Sequence, residues 1–310
     1  MELIRHLHNL RPAHRGCVAT IGNFDGVHTG HQQVLAGLRA RADALALPTV
    51  AMTFEPLPRE HFGGDACPAR LTTLREKLPL LAAAGVDRVL VCRFDGRFSS
   101  QPPEAFVSRW LVNGLGVRHL VVGDDFRFGA RAAGDFNMLV EAGAEHGFEV
   151  QSTRTWLSGD ARVSSTRVRD ALAAGDLALA EKLLGRPYTL SGRVIRGDAL
   201  GRTLGFPTAN LKPGRRVLPV SGVFVVGVSE VGEPDRFGVC NVGSRPTVNG
   251  IQPRVEVHVF DTERDYYGHH LRLTLRHRLR PEQRFASLDA LKAAIADDAR
   301  AARDWVARSA

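Results

Sequence analysis

The first half of the chain alternates short apolar runs with stretches whose apolar residues recur at helical spacing. The apolar runs predict five strands, at residues 17–22, 48–54, 87–94, 118–123 and 148–156. Strands that alternate with helices are typical of a parallel, doubly wound sheet. Asp176 and Gly185 then flank a helical segment in the positions of an N-cap and a left-handed C-cap. We therefore predict a Rossmann-like α/β domain at the amino-terminal end of the chain.

Beyond Gly185 the pattern changes to extended segments separated by glycine and proline. Leu271, Leu273 and Leu275 alternate with polar residues in the last of them, as in a strand with one buried face. The extended segments are residues 188–197, 222–231, 237–243, 254–261 and 270–279. They predict a compact antiparallel β-barrel, closed by one amphipathic helix over residues 287–306, whose apolar positions are Leu288, Leu291, Ile295, Trp305 and Val306. The predicted domains are residues 1–184 and 185–310.

Composition excludes several classes of protein. The 310 residues are 44% hydrophobic and 24% charged, which excludes wholesale disorder. No apolar run approaches the roughly 18 residues that a membrane span needs, and Arg and His interrupt the first apolar stretch. We therefore expect a cytoplasmic protein without a membrane partner. The four cysteines show no CxxC spacing and predict neither a disulfide framework nor a zinc site.

The net charge of +8 lies almost entirely in the second part of the chain. Residues 1–184 hold 21 Lys and Arg against 20 Asp and Glu, whereas residues 185–310 hold 20 against 13. A nucleic-acid-binding module is one interpretation of a basic barrel, but its aromatic residues are scattered along the sequence and form no obvious stacking surface. We therefore expect no nucleic-acid partner.

The first predicted strand runs directly into the glycine-rich segment GNFDGVHTGH, residues 22–31, and then into a helical pattern. His28 and His31 are three residues apart, so at a helix start they share one face beside free backbone N–H groups. This arrangement predicts an anion site suited to a triphosphate, where nucleotidyl transfer needs no protein nucleophile. A solvated helix face and a partial zinc site are the alternatives. Since no GxxxxGK[ST] motif is present, a P-loop kinase is excluded.

The string GNFDGVHTGHQ resembles the bacterial bifunctional riboflavin kinase/FAD synthetases, which are similar to other nucleotidyltransferases in their HxGH turn. Residues 54–56, 68–77, 122–129 and 164–172 extend the resemblance over the first domain. It implies that His28 and His31 are catalytic because they bind and orient the ATP phosphates. The other residues that it assigns to ATP are Gly22, Asn23, Phe24, Asp25, Gly30, Ser164, Ser165, Thr166, Arg167 and Arg169. It also implies a flavin pocket lined by Phe62, Asp125 and Phe128.

A second signature lies at residues 192–211, GRVIRGDALGRTLGFPTANL, and is similar to that of riboflavin kinases. The resemblance implies that ATP binds at Gly197, Gly201, Gly205, Pro207, Thr208 and Asn210. Thr208 and Asn210 would also hold Mg²⁺, for which hydroxyl and amide oxygens are suitable ligands. Glu256 alternates with Val255 and Val257, so the carboxylate lies on the opposite strand face from the valines. The resemblance implies that Glu256 is the base that accepts the ribityl hydroxyl proton.

The two signatures together imply one chain that phosphorylates riboflavin to FMN and then adenylylates FMN to FAD, with Mg²⁺ accompanying ATP. The expected partners are therefore the small molecules riboflavin, FMN, FAD and ATP, with flavins as substrates and products. We expect a monomer or a weak homo-oligomer. An adenylyltransferase that acts on a pantetheine or nicotinamide phosphate is an alternative, against which the signature around Asn210 and Glu256 argues.

Overall fold

The structure is a computed structural model that describes residues 1–64, 67–153, 157–158, 161–197, 205–230, 233, 235–247 and 250–309. Gly201 lies outside the described residues, as do the last residues of the strands predicted at 148–156 and 222–231. The chain packs into two compact units. The first comprises residues 1–68 and 74–163, and the second comprises residues 69–73 and 164–310.

A six-stranded parallel sheet forms the centre of the first unit. Its strands are β1 (Glu2–Arg5), β2 (Cys17–Ile21), β3 (Thr49–Glu55), β4 (Arg88–Arg93), β5 (Val117–Gly123) and β6 (Glu149–Thr153), in the order β1-β4-β3-β2-β5-β6. A two-residue pair, β7 (Leu157–Ser158) with β8 (Ala161–Arg162), follows. The predicted α/β fold is confirmed. Strand β1 was not predicted, because its four residues include only one buried side chain, Ile4, and are too short to show a period.

Helices cover both faces of this sheet. They are α1 (Thr29–Leu45), α2 (Pro58–Phe62), α3 (Leu74–Ala83), α4 (Gly96–Ser99), α5 (Pro103–Phe106), a π-helix (Val107–Leu115) and α6 (Phe136–His146). Leu35, Leu38 and Leu81 pack in the core on one face. Leu111 and Leu139 pack in the core on the other face. The sheet is therefore doubly wound, as the alternation of strands and helices predicts.

The strand order reverses at β2, which lies between β3 and β5. Chain connections leave the carboxyl ends of β2 and β5 in opposite directions there, which opens a crevice at the edge of the sheet. In open α/β sheets such a switch point is where ligands bind. The segment that contains His28 and His31 begins directly after β2, and the segment that contains Asp125 begins directly after β5.

The second unit contains a helix pair and a barrel. The helices are α7 (Ser165–Ala174) and α8 (Leu177–Leu184). The Asp176 side chain accepts a hydrogen bond from Leu179 N at 2.9 Å, and Gly185 ends α8 with φ of +70°. Both predicted caps are confirmed. Apart from residues 69–73, the second unit begins before these helices, at Ser164, whereas the sequence pattern predicts a boundary after Leu184.

Six antiparallel strands close into the barrel in the order β10-β13-β12-β11-β14-β9. They are β9 (Thr189–Ile195), β10 (Ala209–Lys212), β11 (Gly222–Ser229), β12 (Arg236–Thr247), β13 (Gly250–Val259) and β14 (His270–Arg280). Phe224 and Val226 of β11 point to one face of the wall, and Val223 and Val225 point to the other. The predicted barrel is confirmed, and β10 is an additional short strand within the predicted ATP signature.

The closing helix, α9 (Leu288–Ser309), packs on the outside of the barrel, against Val223 and Val225. Its buried positions are Asp298, Ala299 and Ala302. Leu288, which the helical pattern places on the apolar face, is 60% exposed and lies outside this contact. The buried positions, with Trp305 and Val306, lie from Asp298 onward, so the later turns of the helix carry the packing and the first turn does not.

Candidate active sites

A cavity of about 290 Å³ lies at the switch point of the first unit. The residues that line it come from the carboxyl ends of β2, β5 and β6, from the following loops and from α1. They are Thr20, Ile21, Gly22, Phe24, Gly30, His31, Val34, Gly123, Asp124, Asp125, Phe126, Thr153 and Val163. Gly22, Phe24, Gly30, His31 and Asp125 among the predicted site residues therefore share one cavity.

His28 and His31 are held against each other at the start of α1. His28 is the N-cap residue, and its Nδ1 accepts a hydrogen bond from His31 N at 3.3 Å. Since Nδ1 accepts, a neutral His28 ring carries its proton on Nε2. The two rings stack with their centroids 3.7 Å apart, and Gly30 permits this because a Cβ there would meet the His28 ring at 3.2 Å.

The His31 ring is poised as an uncharged group. Desolvation, followed by the charges of His28 and Lys77, lowers the pKa of His31 well below its usual range. Its Nδ1 is buried and has no hydrogen-bond partner among the described residues. A buried ring nitrogen without a partner is costly, and the His31 residue is among those that line the cavity.

The remaining residues of the first motif shape the turn between β2 and α1. Phe24 adopts a left-handed φ of +46°, and its ring contacts the edge of His31 at a centroid distance of 5.2 Å. Asp25 is buried at 2% exposure. Asn23 has an exposed side chain, but its carbonyl accepts hydrogen bonds from Lys77 Nζ at 2.7 Å and from Thr53 Oγ1 at 3.3 Å. The predicted nucleotide motif is therefore a tightly held turn.

The three residues assigned to a flavin pocket lie in different environments. Asp125 lines the cavity at the switch point. Phe62 is 69% exposed and contacts His61 and Phe94 by its ring edge. Phe128 is buried in the hydrophobic core, 5.3 Å from the ring of Phe106. Neither Phe62 nor Phe128 is among the described residues that line the cavity.

The second anion motif begins α7, in the second unit. Ser164 is the N-cap, and its Oγ accepts a hydrogen bond from Arg167 N at 3.3 Å. Ser165 and Thr166 occupy the first turn, where backbone N–H groups favour anions. Arg169 Nε donates to the carbonyl of Ala69 at 2.6 Å. Ser164 therefore caps α7, and Arg169 ties this helix to residues 69–73 of the same unit.

In the barrel, Asn210 of β10 lies directly opposite Glu256 of β13. Asn241 of β12 lies opposite Glu256 on the other side. Directly opposed residues of antiparallel strands project to the same face with their Cβ atoms about 5 Å apart. Val255 and Val257 are buried on the other face, as the alternation predicts. Glu256 is thus flanked by two amides in one row across the wall.

Arg254 holds the Glu256 carboxylate. Its Nη2 atom lies 2.8 Å from Glu256 Oε1 and 2.8 Å from Oε2. The Glu256 side chain is 18% exposed, so the ion pair is partly shielded from water. Residues two apart on a strand project to the same face, so the sequence spacing could have indicated Arg254, which was not predicted. Lys77, beside the first site, was also not predicted, because a single lysine in a helix carries no signal of its own.

Thr208 and Asn210 have donor chemistry that fits Mg²⁺. A hydroxyl and an amide oxygen provide two hard ligands, and Mg²⁺ usually completes its shell with water and phosphate oxygens. A Cβ at Gly197 would meet the Asn210 amide at 2.4 Å, so the glycine preserves the space that this amide occupies. Among the described residues no cluster of three His, Cys, Asp or Glu side chains could hold a metal. Pro207 contributes a carbonyl that pairs with His258 Nδ1 at 2.8 Å, and Gly205 has φ of +89°.

Comparisons with known proteins cover both units. A family model described as FAD synthetase matches residues 10–167, and one described as riboflavin kinase matches residues 184–306. The bifunctional riboflavin kinase/FMN adenylyltransferase of Escherichia coli (strain K12) is 55% identical over 306 residues, which cover 98% of each chain. The enzyme of the same name from Pseudomonas fluorescens is 52% identical over 311 residues, which cover 100% of this chain and 99% of that one.

Among solved structures, a crystal structure described as a macrolide-efflux protein from Streptococcus pneumoniae is similar with a TM-score of 0.82. The match covers 98% of this chain and 100% of that chain at 29% identity. Within the part of this chain that the structure describes, none of the helices is long and apolar enough to cross a membrane.

A parallel sheet with an HxGH turn at its switch point, joined in sequence to a barrel that carries an Asn–Glu row, defines a two-domain transferase that uses nucleoside triphosphates. The chain belongs to the family of bifunctional riboflavin kinases/FMN adenylyltransferases. Both enzymatic domains of that family are present in it.

Proposed function

We propose that the chain makes FAD from riboflavin in two ATP-dependent steps, one in each domain. The observation that carries the proposal is that one chain matches both an FAD synthetase and a riboflavin kinase, each over nearly a full domain. We assign the adenylyltransferase to residues 1–184 and the kinase to residues 185–310. The product of the kinase is the acceptor of the adenylyltransferase, so both reactions on one chain form a sequence.

In the kinase step, the ribityl 5′-hydroxyl of riboflavin attacks the γ-phosphorus of ATP. The new P–O bond forms FMN, the bond to the bridging oxygen breaks, and ADP leaves. Glu256 accepts the hydroxyl proton as general base, and its contact with Arg254 at 2.8 Å supports a carboxylate that is held in one orientation. We assign Gly197, Gly201, Gly205, Pro207, Thr208 and Asn210 to ATP in this domain.

Thr208 and Asn210 would hold Mg²⁺, which neutralises charge on the β- and γ-phosphates when it is bound. Their oxygen donors and the clearance that Gly197 leaves for the Asn210 amide support this assignment. The Asn210–Glu256 register brings this donor beside the general base, so the hydroxyl and the transferred phosphoryl group would meet at the same point of the barrel wall.

In the adenylyltransferase step, a phosphate oxygen of FMN attacks the α-phosphorus of ATP, the Pα–O–Pβ bond breaks, and pyrophosphate leaves. No protein nucleophile is needed, so positioning and charge stabilisation supply the catalysis. We assign His28, His31 and the turn from Gly22 to Gly30 to the triphosphate, together with residues 164–169. Asp125, Phe62 and Phe128 are our candidates for the flavin side.

We further propose that the protein works in the cytoplasm as a monomer or weak homo-oligomer, on small molecules and without a nucleic-acid partner. Its positive charge then serves to attract ATP and phosphorylated flavin. Both reactions involve highly charged substrates, which a basic barrel concentrates.

The acceptor of the first domain is tested by pyrophosphate release. The purified chain is given ATP and Mg²⁺ with FMN, with 4′-phosphopantetheine or with nicotinamide mononucleotide. We expect pyrophosphate and an adenylylated product with FMN alone. Release with either of the other acceptors and not with FMN would assign a different adenylyltransferase.

A further inference from the structure

Lys77 is a completely buried cation beside the candidate adenylyltransferase site. It lies on α3 with 0% exposure, and its Nζ donates to the carbonyl of Asn23 at 2.7 Å. Removing an ammonium group from water costs several kcal/mol even after relaxation. A buried lysine is therefore retained at a price in stability that an apolar residue of similar length, such as Met, would not incur.

The carbonyl that Lys77 holds is at the start of a strained turn. Phe24 follows Asn23 directly with φ of +46°, and Val27 has φ of +42°. Side-chain-bearing residues in this region of backbone space persist only where their surroundings fix them. Lys77 and Thr53 both donate to the Asn23 carbonyl, and Phe24 in turn contacts the ring of His31. A chain of contacts thus links Lys77 to His31.

We propose that Lys77 is a positioning residue of the adenylyltransferase, because it fixes the turn that receives the ATP triphosphate and that contacts His31. The inference rests on the proposed function of this site. Lys77 also acts on His31 electrostatically: burial is the largest cause that lowers the pKa of the His31 ring, and the positive charges of His28 and Lys77 lower it further.

An uncharged His31 can serve the anion site as a hydrogen-bonding group. A neutral ring carries its proton on one nitrogen, and His31 lines the cavity in which the ligand would bind. Lys77 meanwhile supplies a fixed positive charge that needs no reorganisation when pyrophosphate departs. Among the described residues, the charged and titratable groups that contact His31, act on its pKa or line the same cavity include His28, which stacks on it, Lys77 from α3, and Asp124 and Asp125.

The test uses the full chain with Lys77→Met, with Lys182→Met on the exposed surface of α8 as the matched control. We expect kcat for FMN to FAD to fall about 100-fold, as misplacement of reacting groups does, while formation of FMN from riboflavin is unchanged. Loss of the cation raises the pKa of His31, so the acid limb of the kcat profile for FAD formation should move to higher pH. The urea unfolding midpoint of Lys77→Met should be no lower than that of Lys182→Met, because Met removes the cost of a buried cation.

Three results would overturn the inference: an unchanged kcat, a fall in kcat with an unmoved acid limb, or a parallel loss of both reactions together with a lower unfolding midpoint. If Lys77→Met does not fold, Lys77→Arg provides a second test, because arginine keeps the positive charge at this position. We expect its acid limb to stay at the wild-type position, and a shifted limb would contradict the role of the charge. If the wild-type chain itself converts no FMN to FAD, the proposed function of the first domain is wrong. The variants test the role of Lys77 only when the wild-type chain is active.

Discussion

Asn210 and Glu256 face each other across neighbouring barrel strands, 46 residues apart in the chain, in the direct register of an antiparallel pair. Pairing at that register fixes both side chains on one face of the wall. A candidate metal donor and a candidate base are therefore positioned by backbone hydrogen bonds and not by a mobile loop. Rigid elements hold catalytic groups more precisely than loops do.

Replacing Glu256 by Gln should remove the general base of the kinase while keeping the shape of the side chain. We expect FMN formation from riboflavin to fall about 1000-fold, in the range of a lost general base, while FMN is converted to FAD at the wild-type rate. Chromatographic assay of both flavins measures the two rates. Glu263→Gln, at an exposed position beyond β13, is the control and should leave both rates unchanged. Equal loss of both activities in Glu256→Gln would contradict the proposed division of labour.

Gly197→Ala tests the space around the Asn210 amide. The added Cβ would meet the amide at 2.4 Å, so the side chain must turn away. We expect a fall in kinase activity and a higher requirement for Mg²⁺, with normal FAD formation from FMN. Gly37→Ala is the matched control, because a Cβ at that helical position meets nothing within 4 Å and should stabilise α1 by up to about 1 kcal/mol. If the Gly197→Ala variant had wild-type kinase kinetics, the assignment of Asn210 to the kinase site would be wrong.

His28→Ala should affect the other reaction. Loss of the ring removes the partner that stacks on His31 at 3.7 Å and the acceptor for His31 N. We expect conversion of FMN to FAD to fall at least about 100-fold, the scale of one lost charge-stabilising group. Formation of FMN should be unaffected, and His146→Ala, at the exposed end of α6, should change neither rate. Loss of FMN formation in His28→Ala would show that the two sites are not separate.

Much of the fold follows from the sequence because periodicity and caps are local signals. Strands β2 to β6 and the caps Asp176 and Gly185 were predicted from residues next to one another in the chain. Strand β1 was missed because a four-residue edge strand shows no period, and β10 because PTAN has the composition of a turn. The exposure of Leu288 also escaped prediction, since the face that α9 buries is decided by its contact with the barrel and not by its own pattern.

Some residues of the candidate sites could likewise be predicted from the sequence, and others could be found only in the structure. Motif residues such as His28, His31 and Glu256 could be identified from the chain alone, with the family resemblance. Lys77 could not, because its role depends on a distance across the fold, 2.7 Å from its Nζ to the Asn23 carbonyl. Arg254 could have been noticed from its spacing of two residues from Glu256 on one strand, but only the structure shows its 2.8 Å contact with that carboxylate. Phe62 and Phe128 stay predictions, since one ring is exposed and the other is in the core.

Asp298 and Asp297 are neighbours in α9, but we expect their side chains to contribute very different amounts to the stability of the fold. Asp298 is 8% exposed and forms two hydrogen bonds with Arg280 of β14, at 2.9 Å and 2.7 Å. Asp297 pairs with Arg300 on the open surface. Asp298→Asn should lower the free energy of unfolding by about 3 kcal/mol, because it leaves a shielded cation without its counter-charge. Asp297→Asn should cost less than about 1 kcal/mol. Equal urea unfolding curves for the two variants would contradict the packing of α9.

Asp87 should make the stability of the first unit depend on pH. Burial alone would raise the pKa of its carboxyl, but hydrogen bonds from Thr49 and Arg39 outweigh it and lower the pKa. A carboxyl whose pKa is lower in the folded than in the unfolded chain stabilises the fold at pH values above its unfolded pKa of about 4. That stabilisation is lost as the pH falls through the folded pKa. Asp87→Asn should therefore unfold at a lower temperature than wild type at pH 7, and the difference should shrink towards pH 3.

Asp43→Asn is the control for Asp87, since Asp43 pairs with the same Arg39 on the exposed surface of α1. Its unfolding temperature should stay close to that of wild type at both pH values. A gap between Asp87→Asn and wild type that stays constant from pH 7 to pH 3 would show that the ionised carboxylate does not contribute as described.

Two labels on ATP follow both transfers in one reaction. The wild-type chain is incubated with riboflavin, Mg²⁺ and ATP labelled at either the α- or the γ-phosphorus, and the flavins are separated. We predict that FMN carries only the γ-label, and that FAD carries the γ-label on its flavin phosphate and the α-label on its adenylyl phosphate in equal amounts. FAD that lacks either label, or FMN that lacks the γ-label, would contradict the assignment of two ATP-dependent sites to this chain.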